Sequence, residues 1–186
     1  MKKNINFGYI ILLFFICTIL SSCGRDNMNS NKPSINFSEL IENENIADII
    51  LTIYYVNPFI LTRQPWSVGN LINSQSVKKI VISGSDLEEH FDLFNQINND
   101  VLIPVKKESP NLDVRLYYVL DSKKNGKLFD VAMWGGGREG NTIFFNGYEV
   151  IGHGIFYDVV MSFLPEDAVK EFEKWKNEGQ AGEDRP

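Results

Sequence analysis

Two Asn-Gly pairs, Asn125-Gly126 and Asn146-Gly147, stand between runs of β-branched and aromatic residues, and no other feature narrows the fold as much. A type I′ turn needs positive φ at both central positions, which Asn and Gly tolerate best, so each pair predicts a two-residue hairpin. The first pair joins Leu112 to Leu120 (LDVRLYYVL) with Lys127 to Trp134 (KLFDVAMW), and the second joins Thr142 to Phe145 (TIFF) with Tyr148 to Ile151. Hairpins in series make an antiparallel meander. Strict alternation along the first run puts Leu112, Val114, Leu116, Tyr118 and Leu120 on one face and Asp113, Arg115, Tyr117 and Val119 on the other.

Upstream, Asp48 to Val56 (DIILTIYYV) reads as a strand stopped by Asn57-Pro58, and Val77 to Ser83 (VKKIVIS) as a second one stopped by Gly84. Between them, residues 59–76 contain Pro65, Trp66 and Gly69 and fit either a strand with a short helix or an irregular connection. Ser85-Asp86-Leu87-Glu88 has the form of a capping box, and Leu87, Phe91, Phe94 and Ile97 follow at helical spacing, which predicts one helix ending at Asn98-Asn99. After Gly152 and Gly154, Ile155 to Leu164 reads as a buried helix. Pro165 suits the first turn of another that runs to about Lys176, with Val169, Phe172 and Trp175 inward and Glu171 and Glu173 toward water. The fold class is therefore α+β: an antiparallel β-meander sheet with helices packed on one face.

The N-terminal segment belongs to none of this. Lys2 and Lys3 precede an almost unbroken apolar run from Phe7 to Leu20. As a helix it would extend about 21 Å, short of the roughly 30 Å hydrocarbon core of a bilayer, so it suits a secretory h-region better than a membrane span. Leu20-Ser21-Ser22-Cys23 closes it and resembles a bacterial lipobox, where a signal peptidase cuts before a lipid-modified cysteine. The other cysteine, Cys17, lies in the part that cleavage would remove, so the mature chain would keep one cysteine and no internal disulfide. Lipidation gives that lone exported thiol a role, with the two or three chains of such lipoproteins holding far better than one.

These features divide the chain into a signal peptide (1–22), a polar tether (23–34), one globular domain (35–177) and a disordered tail (178–186). Loss of Lys2 and Lys3 takes the basic residues from 18 to 16 against 24 acids, a formal charge of −8. Such a surface repels phosphate backbones, which argues against nucleic-acid partners, and it leaves membrane attachment to the lipid.

Chemistry-bearing motifs are sparse. Gly135 to Gly140 (GGGREG) formally matches G-x-G-x-x-G, but a strand follows it where a dinucleotide site needs a helix, so it reads as a glycine-rich hairpin loop. Such loops let backbone approach a ligand, and Trp134 and Arg138 are candidate binding residues there. His90 and His153 are isolated, without zinc-ligand spacing; His153, between two glycines, is a third candidate. The acidic pairs Glu88-Glu89, Glu166-Asp167 and Glu171/Glu173 lie on predicted helix surfaces rather than across a cleft. No residues suggest a metal, a cofactor or a catalytic set. Among the adjacent aromatic pairs Tyr54-Tyr55, Tyr117-Tyr118 and Phe144-Phe145, one ring of each points away from the core, toward a sugar- or peptide-binding face or toward cover by a helix or the N-terminal segment.

The order from Asp48 to Leu164, together with the lipobox, resembles small bacterial lipoproteins whose domains have no assigned function. That resemblance implies a non-catalytic envelope domain, held on the cell membrane or outer membrane outside the cytoplasm, and carries over one functional residue, Cys23. Two classes of function follow: a binding or accessory domain of inhibitor, immunity or sensor type with an envelope protein or peptide partner, and an envelope hydrolase with its site near Gly135 to Gly140 and His153.

Overall fold

The second Asn-Gly pair makes the turn its sequence predicts. In the computed structural model, Asn146 and Gly147 have φ of 50° and 79°, and they link Phe145 directly to its partner Tyr148. The Asn146 amide donates to the Asp130 carbonyl, and its side-chain Oδ1 accepts from the Asp130 amide, both at 2.9 Å, which ties the turn to the neighbouring strand. The structure describes residues 33–106, 113–134 and 141–180, all in the compact unit Lys32–Pro186. The lipobox with Cys23, and the loop with Arg138, lie outside the described residues.

The first pair behaves differently. Ser122 pairs with Gly126, so Lys123, Lys124 and Asn125 form a three-residue loop, and Gly126 alone of that pair has positive φ, 75°. The cause is Glu44, which accepts hydrogen bonds from both the Asn125 side-chain amide and the Ser122 hydroxyl. Ser122 Oγ in turn accepts from the amides of Lys124 and Asn125 at 3.1 and 3.2 Å. Leu128 is then an extra residue: Phe129 faces Leu120 while Lys127 faces Asp121, a bulge that restores the inward face beyond it.

Six strands, β1 (Ile49–Tyr55), β2 (Lys78–Ser83), β3 (Leu116–Ser122), β4 (Gly126–Met133), β5 (Thr142–Phe145) and β6 (Tyr148–Ile151), form one antiparallel sheet in the order β2-β1-β3-β4-β5-β6. The α+β class read from the sequence holds. Among the described residues the helices are α1 (Phe37–Glu42), α2 (Val68–Ile72), α3 (Ser85–Glu88), α4 (Phe91–Phe94), α5 (Ile155–Met161) and α6 (Glu166–Gln180), with a 3-10 turn at Ile46–Asp48. Helix α6 runs a turn past the expected end at Lys176.

One face carries the main core. Leu51, Ile53, Leu116, Tyr118, Leu120, Phe129, Val131 and Phe145 meet Phe37, Leu87, Phe94, Phe156, Val160 and Phe172 from the helices. Phe129 lies at its centre, stacked on Phe145 at 5.7 Å and edge-on to Phe37 and Tyr118, both at 6.4 Å. The Tyr118 hydroxyl donates to the Phe156 carbonyl at 2.8 Å, which satisfies a group that burial would otherwise penalise.

The opposite face is covered too, by the connection 56–77 and the short α2. Tyr54, Tyr117, Val119, Ala132 and Phe144 pack there against Ile60, Trp66, Val68 and Leu71. The outward rings of the three aromatic pairs therefore form a second core, covered by the short α2 together with the irregular connection around it and not left as an open binding face. Val114 joins this second core and not the face of Leu116 as alternation predicts. The strand begins only at Leu116, because the Val114 amide is taken by the Trp66 carbonyl at 2.8 Å before the ladder starts.

The capping box also departs from its sequence. Ser85 sits inside α3, whose N-cap is Gly84 at φ 59° with no side-chain hydrogen bond, and the expected single helix is two single turns. His90 stands at the break, its ring 4.5 Å from Phe163 and its Nδ1 3.4 Å from Ser162 Oγ. Turns joined by His90 to the Leu87 carbonyl and Gln96 to the Leu93 carbonyl let Leu87, Phe94 and Ile97 all reach full burial. The reciprocal cap forms at Ser67 and Asn70 instead, at the start of α2.

Truncation at the centre of the main core should be costly: Phe129→Ala is expected to lower the unfolding free energy by about 3–5 kcal/mol in urea titrations, with the folded-state circular dichroism retained.

Candidate functional site

The sheet end at which β4 stops and β5 begins gathers the sequence-predicted residues. Continued from the pairs Val131–Phe145 and Ala132–Phe144, the register sets Trp134 opposite Thr142, which itself pairs with Ile151. Trp134 and the segment leading to His153 thus share one end of the sheet, two strand spacings or about 10 Å apart. Arg138 falls between them in sequence, outside the described residues.

The two described candidates have different surroundings. His153 is exposed; its Nδ1 accepts from the Ile155 amide at 3.3 Å and its carbonyl from the Phe156 amide at 3.1 Å, so the residue opens α5. Trp134 is 44% exposed. Its ring meets Trp175 of α6 at 5.5 Å, and Trp175 meets Phe59 edge-on at 5.2 Å. Two residues after Phe59, Leu61 is 98% exposed. Phe59, Trp134 and Trp175 make an aromatic ridge at this end of the domain.

Polar contacts set the ridge in place. Asn57 Oδ1 accepts from the Phe59 amide at 2.8 Å, and its Nδ2 donates to Glu171 Oε1 at 2.7 Å, linking the end of β1 to α6. Glu171 is therefore a tie between elements as well as a solvent-facing acid. Lys174 Nζ lies 5.3 Å from the Phe59 ring centre, within cation–π range.

Beneath the ridge lies a residue that sequence reasoning passed over. The Arg115 side chain is only 3% exposed and pairs with Asp113 at 2.7 Å. Its Nη2 also donates to the Ile60 carbonyl at 3.1 Å and to Thr62 Oγ1 at 3.0 Å, and its guanidinium sits 5.1 Å from the Trp66 ring centre. The other carboxylate oxygen of Asp113 accepts from the Trp66 amide at 2.8 Å. Burial pulls the guanidinium below its ordinary pKa, and Asp113 opposes that shift. Nε and Nη1 are buried without hydrogen-bond partners. Asp113 and Arg115 fall on one face by alternation, the signal from which their pairing was readable.

A polar cleft on another part of the surface is lined by Asn36, Glu39, Glu44, Asn99 and Asn146. Its polar groups serve the fold. Asn36 caps α1, Asn99 Oδ1 accepts from the Ile35 amide, Asn146 Oδ1 from the Asp130 amide, and Glu44 holds the β3–β4 turn. Those bonds to Ser122 and Asn125 keep the Glu44 carboxyl below its ordinary pKa.

Among the described residues no cluster of His, Cys, Asp and Glu is placed to hold a metal ion, and no helix is long and apolar enough to cross a membrane. Comparison with protein-family models, curated proteins and solved structures finds no match for this chain. The chemistry open to the ridge is burial of apolar and aromatic surface against a partner.

The pair beneath the ridge is open to test. Asp113→Ala leaves a buried guanidinium without its counter-charge and is expected to cost about 3–5 kcal/mol in urea titrations, while Asp113→Ala with Arg115→Met recovers part of that loss. Equal losses in the single and double variants would show that the charge pair is not the source.

Proposed function

We propose that this chain is a membrane-anchored extracytoplasmic lipoprotein, tied to the cell membrane or the outer membrane through lipid on Cys23, whose domain binds a protein or peptide of the cell envelope. The role is that of an accessory domain of inhibitor, immunity or sensor type. The observation that carries the proposal is the lipobox Leu20-Ser21-Ser22-Cys23 behind a charged, then apolar, N-terminus. The aromatic ridge supports the binding half of it, because half-exposed Trp and Phe rings fixed by packing lose little entropy when a partner covers them. Trp134 contributes directly to that surface, whereas His153 is engaged in starting a helix.

The anchor is tested by membrane fractionation. With globomycin, or with Cys23→Ser, the uncleaved precursor is expected to accumulate or soluble protein to be released; unaltered processing and membrane retention would refute the anchor.

The ridge is tested separately, by crosslinking and recovery of partners from detergent-solubilised envelopes. Loss of an interface tryptophan costs about 2 kcal/mol, roughly a 30-fold drop in affinity. Trp134→Ala is therefore expected to deplete the recovered partner, while Tyr148→Ala, which removes another half-exposed ring, leaves it unchanged. Equal recovery with both variants would place binding elsewhere.

A further inference from the structure

The two margins of the sheet are finished differently. Beside β6, the segment 103–105 adds a partial strand: the Ile151 amide donates to the Ile103 carbonyl at 2.7 Å, the Val105 amide to the Glu149 carbonyl at 3.4 Å, and Pro104 bridges to Val150. At the other margin β2 pairs with β1 alone among the described strands. Its residues alternate between exposed and half-buried, and Val81 at its middle is 56% exposed.

An antiparallel edge strand turns every second residue's amide and carbonyl outward, and edges that must stay single are blunted by short length, lysines, proline, a bulge or a covering segment. Of the devices within a strand, β2 carries only lysines, Lys78 and Lys79, at its first two positions. Its centre is Ile80-Val81-Ile82, and its pairing with β1 runs unbroken from Ile50–Ser83 to Tyr55–Lys78. Charge is confined to the ends, with Lys78 and Lys79 before the apolar centre and Asp86 and Glu88 of α3 after it.

We propose that β2 pairs with β2 of a second copy of this chain, antiparallel about a two-fold axis through Val81, to make a continuous twelve-stranded sheet. A two-fold normal to a sheet requires one residue to face its own counterpart. With Val81 there, Ile80 faces the partner's Ile82 and Lys79 faces the partner's Ser83. Ile80 and Ile82 lie beside Ile53 and Leu51 on the main-core side, so the pairing extends that core across the axis. Val81, beside Thr52, pairs on the opposite side.

Charge favours this occupant. The two Lys79 residues are kept four residues apart along the ladder, about 14 Å, beyond the roughly 8 Å screening length at physiological salt. The lysine end of each strand comes beside the turn and acidic α3 that follow the other strand. A shift to the register with Ile80 on the axis would place Lys79 opposite Val81 and Lys78 opposite Ile82, which sets a charge against two of the three apolar residues.

The test uses the full chain in native membranes. In a Cys17→Ser background, Val81→Cys is expected to give a disulfide-linked dimer under mild oxidation, well above the same background without it and above Lys127→Cys on the distant β3–β4 hairpin. In detergent, light scattering should give a protein mass twice that of one chain as it is recovered from the membrane, read by mass spectrometry of the same sample, halved by Val81→Lys with circular dichroism unchanged. Equal crosslinking at Val81 and Lys127, a Val81→Cys product of some other mass, or a monomeric parent chain would each overturn the proposal, the second by assigning the edge to another protein.

Discussion

A buried guanidinium facing a single carboxylate holds the second face of the sheet closed, because Arg115 and Asp113 together bind three separate parts of the connection 56–77. Nη2 reaches the Ile60 carbonyl and Thr62 Oγ1, while Asp113 takes the Trp66 amide and the Val114 amide reaches the Trp66 carbonyl. The backbone of Arg115 meanwhile joins both neighbouring strands, donating to the Met133 carbonyl and accepting from the Val56 amide, each at 3.0 Å. One residue thus fixes where three strands end and where their cover begins. A buried ion pair contributes little net stability against an apolar substitute of the same shape, and its value is more often in specifying one arrangement. Here that arrangement is the path of a connection with only five helical residues of its own.

The rest of the molecule divides around that closure. The main core is made by residues far apart in sequence, with Phe37 stacked on Phe94 at 5.3 Å and edge-on to Phe91 at 5.5 Å, and with the closing helix α6 contributing Ala168 and Phe172. While Ala168 and Phe172 of α6 fill the core, Trp175 and Glu171 on the flank of the same helix face reach toward the end of β1. The aromatic ridge is a consequence of covering both sheet faces: β1 leaves the sheet through Asn57, β4 leaves through Trp134, and α6 passes both.

Local signals in the sequence were readable where no distant group competed with them. Asn146-Gly147 forms its two-residue turn with the asparagine bonded, among the described residues, to Asp130 of the neighbouring strand, whereas Glu44 captures Asn125 and converts an equivalent pair into a longer loop. The same competition moves the helix cap: Ser85 matches the pattern but follows Gly84 at positive φ, and the pattern is realised at Ser67, where asparagine replaces the usual acid. Strand positions were legible to within a residue or two at β1, β2, β4, β5 and β6. The face of Val114 was not, since it depends on a hydrogen bond to Trp66 from a segment whose course the sequence left open. Trp134 was singled out in the sequence because it flanks the glycine-rich loop, not as part of a ridge; its partners Phe59 and Trp175, 75 residues before and 41 after it, had no local signature that would bring them together.

Surface charge and apolar contact act over different distances in this chain, and the difference bears on what the domain can bind. With 24 acids against 18 bases in the chain, the long-range field disfavours polyanions and slows the approach of other acidic surfaces. Beyond a screening length of about 8 Å that field fades, and contact is decided by the patches themselves. The ridge and the β2 margin are both patches in which acids stand at the border rather than in the centre: Glu171 is tied to Asn57 beside the rings, and Asp86 and Glu88 follow the strand. A partner therefore meets repulsion at a distance and apolar or backbone complementarity at contact, which selects for shape over charge and penalises non-specific association.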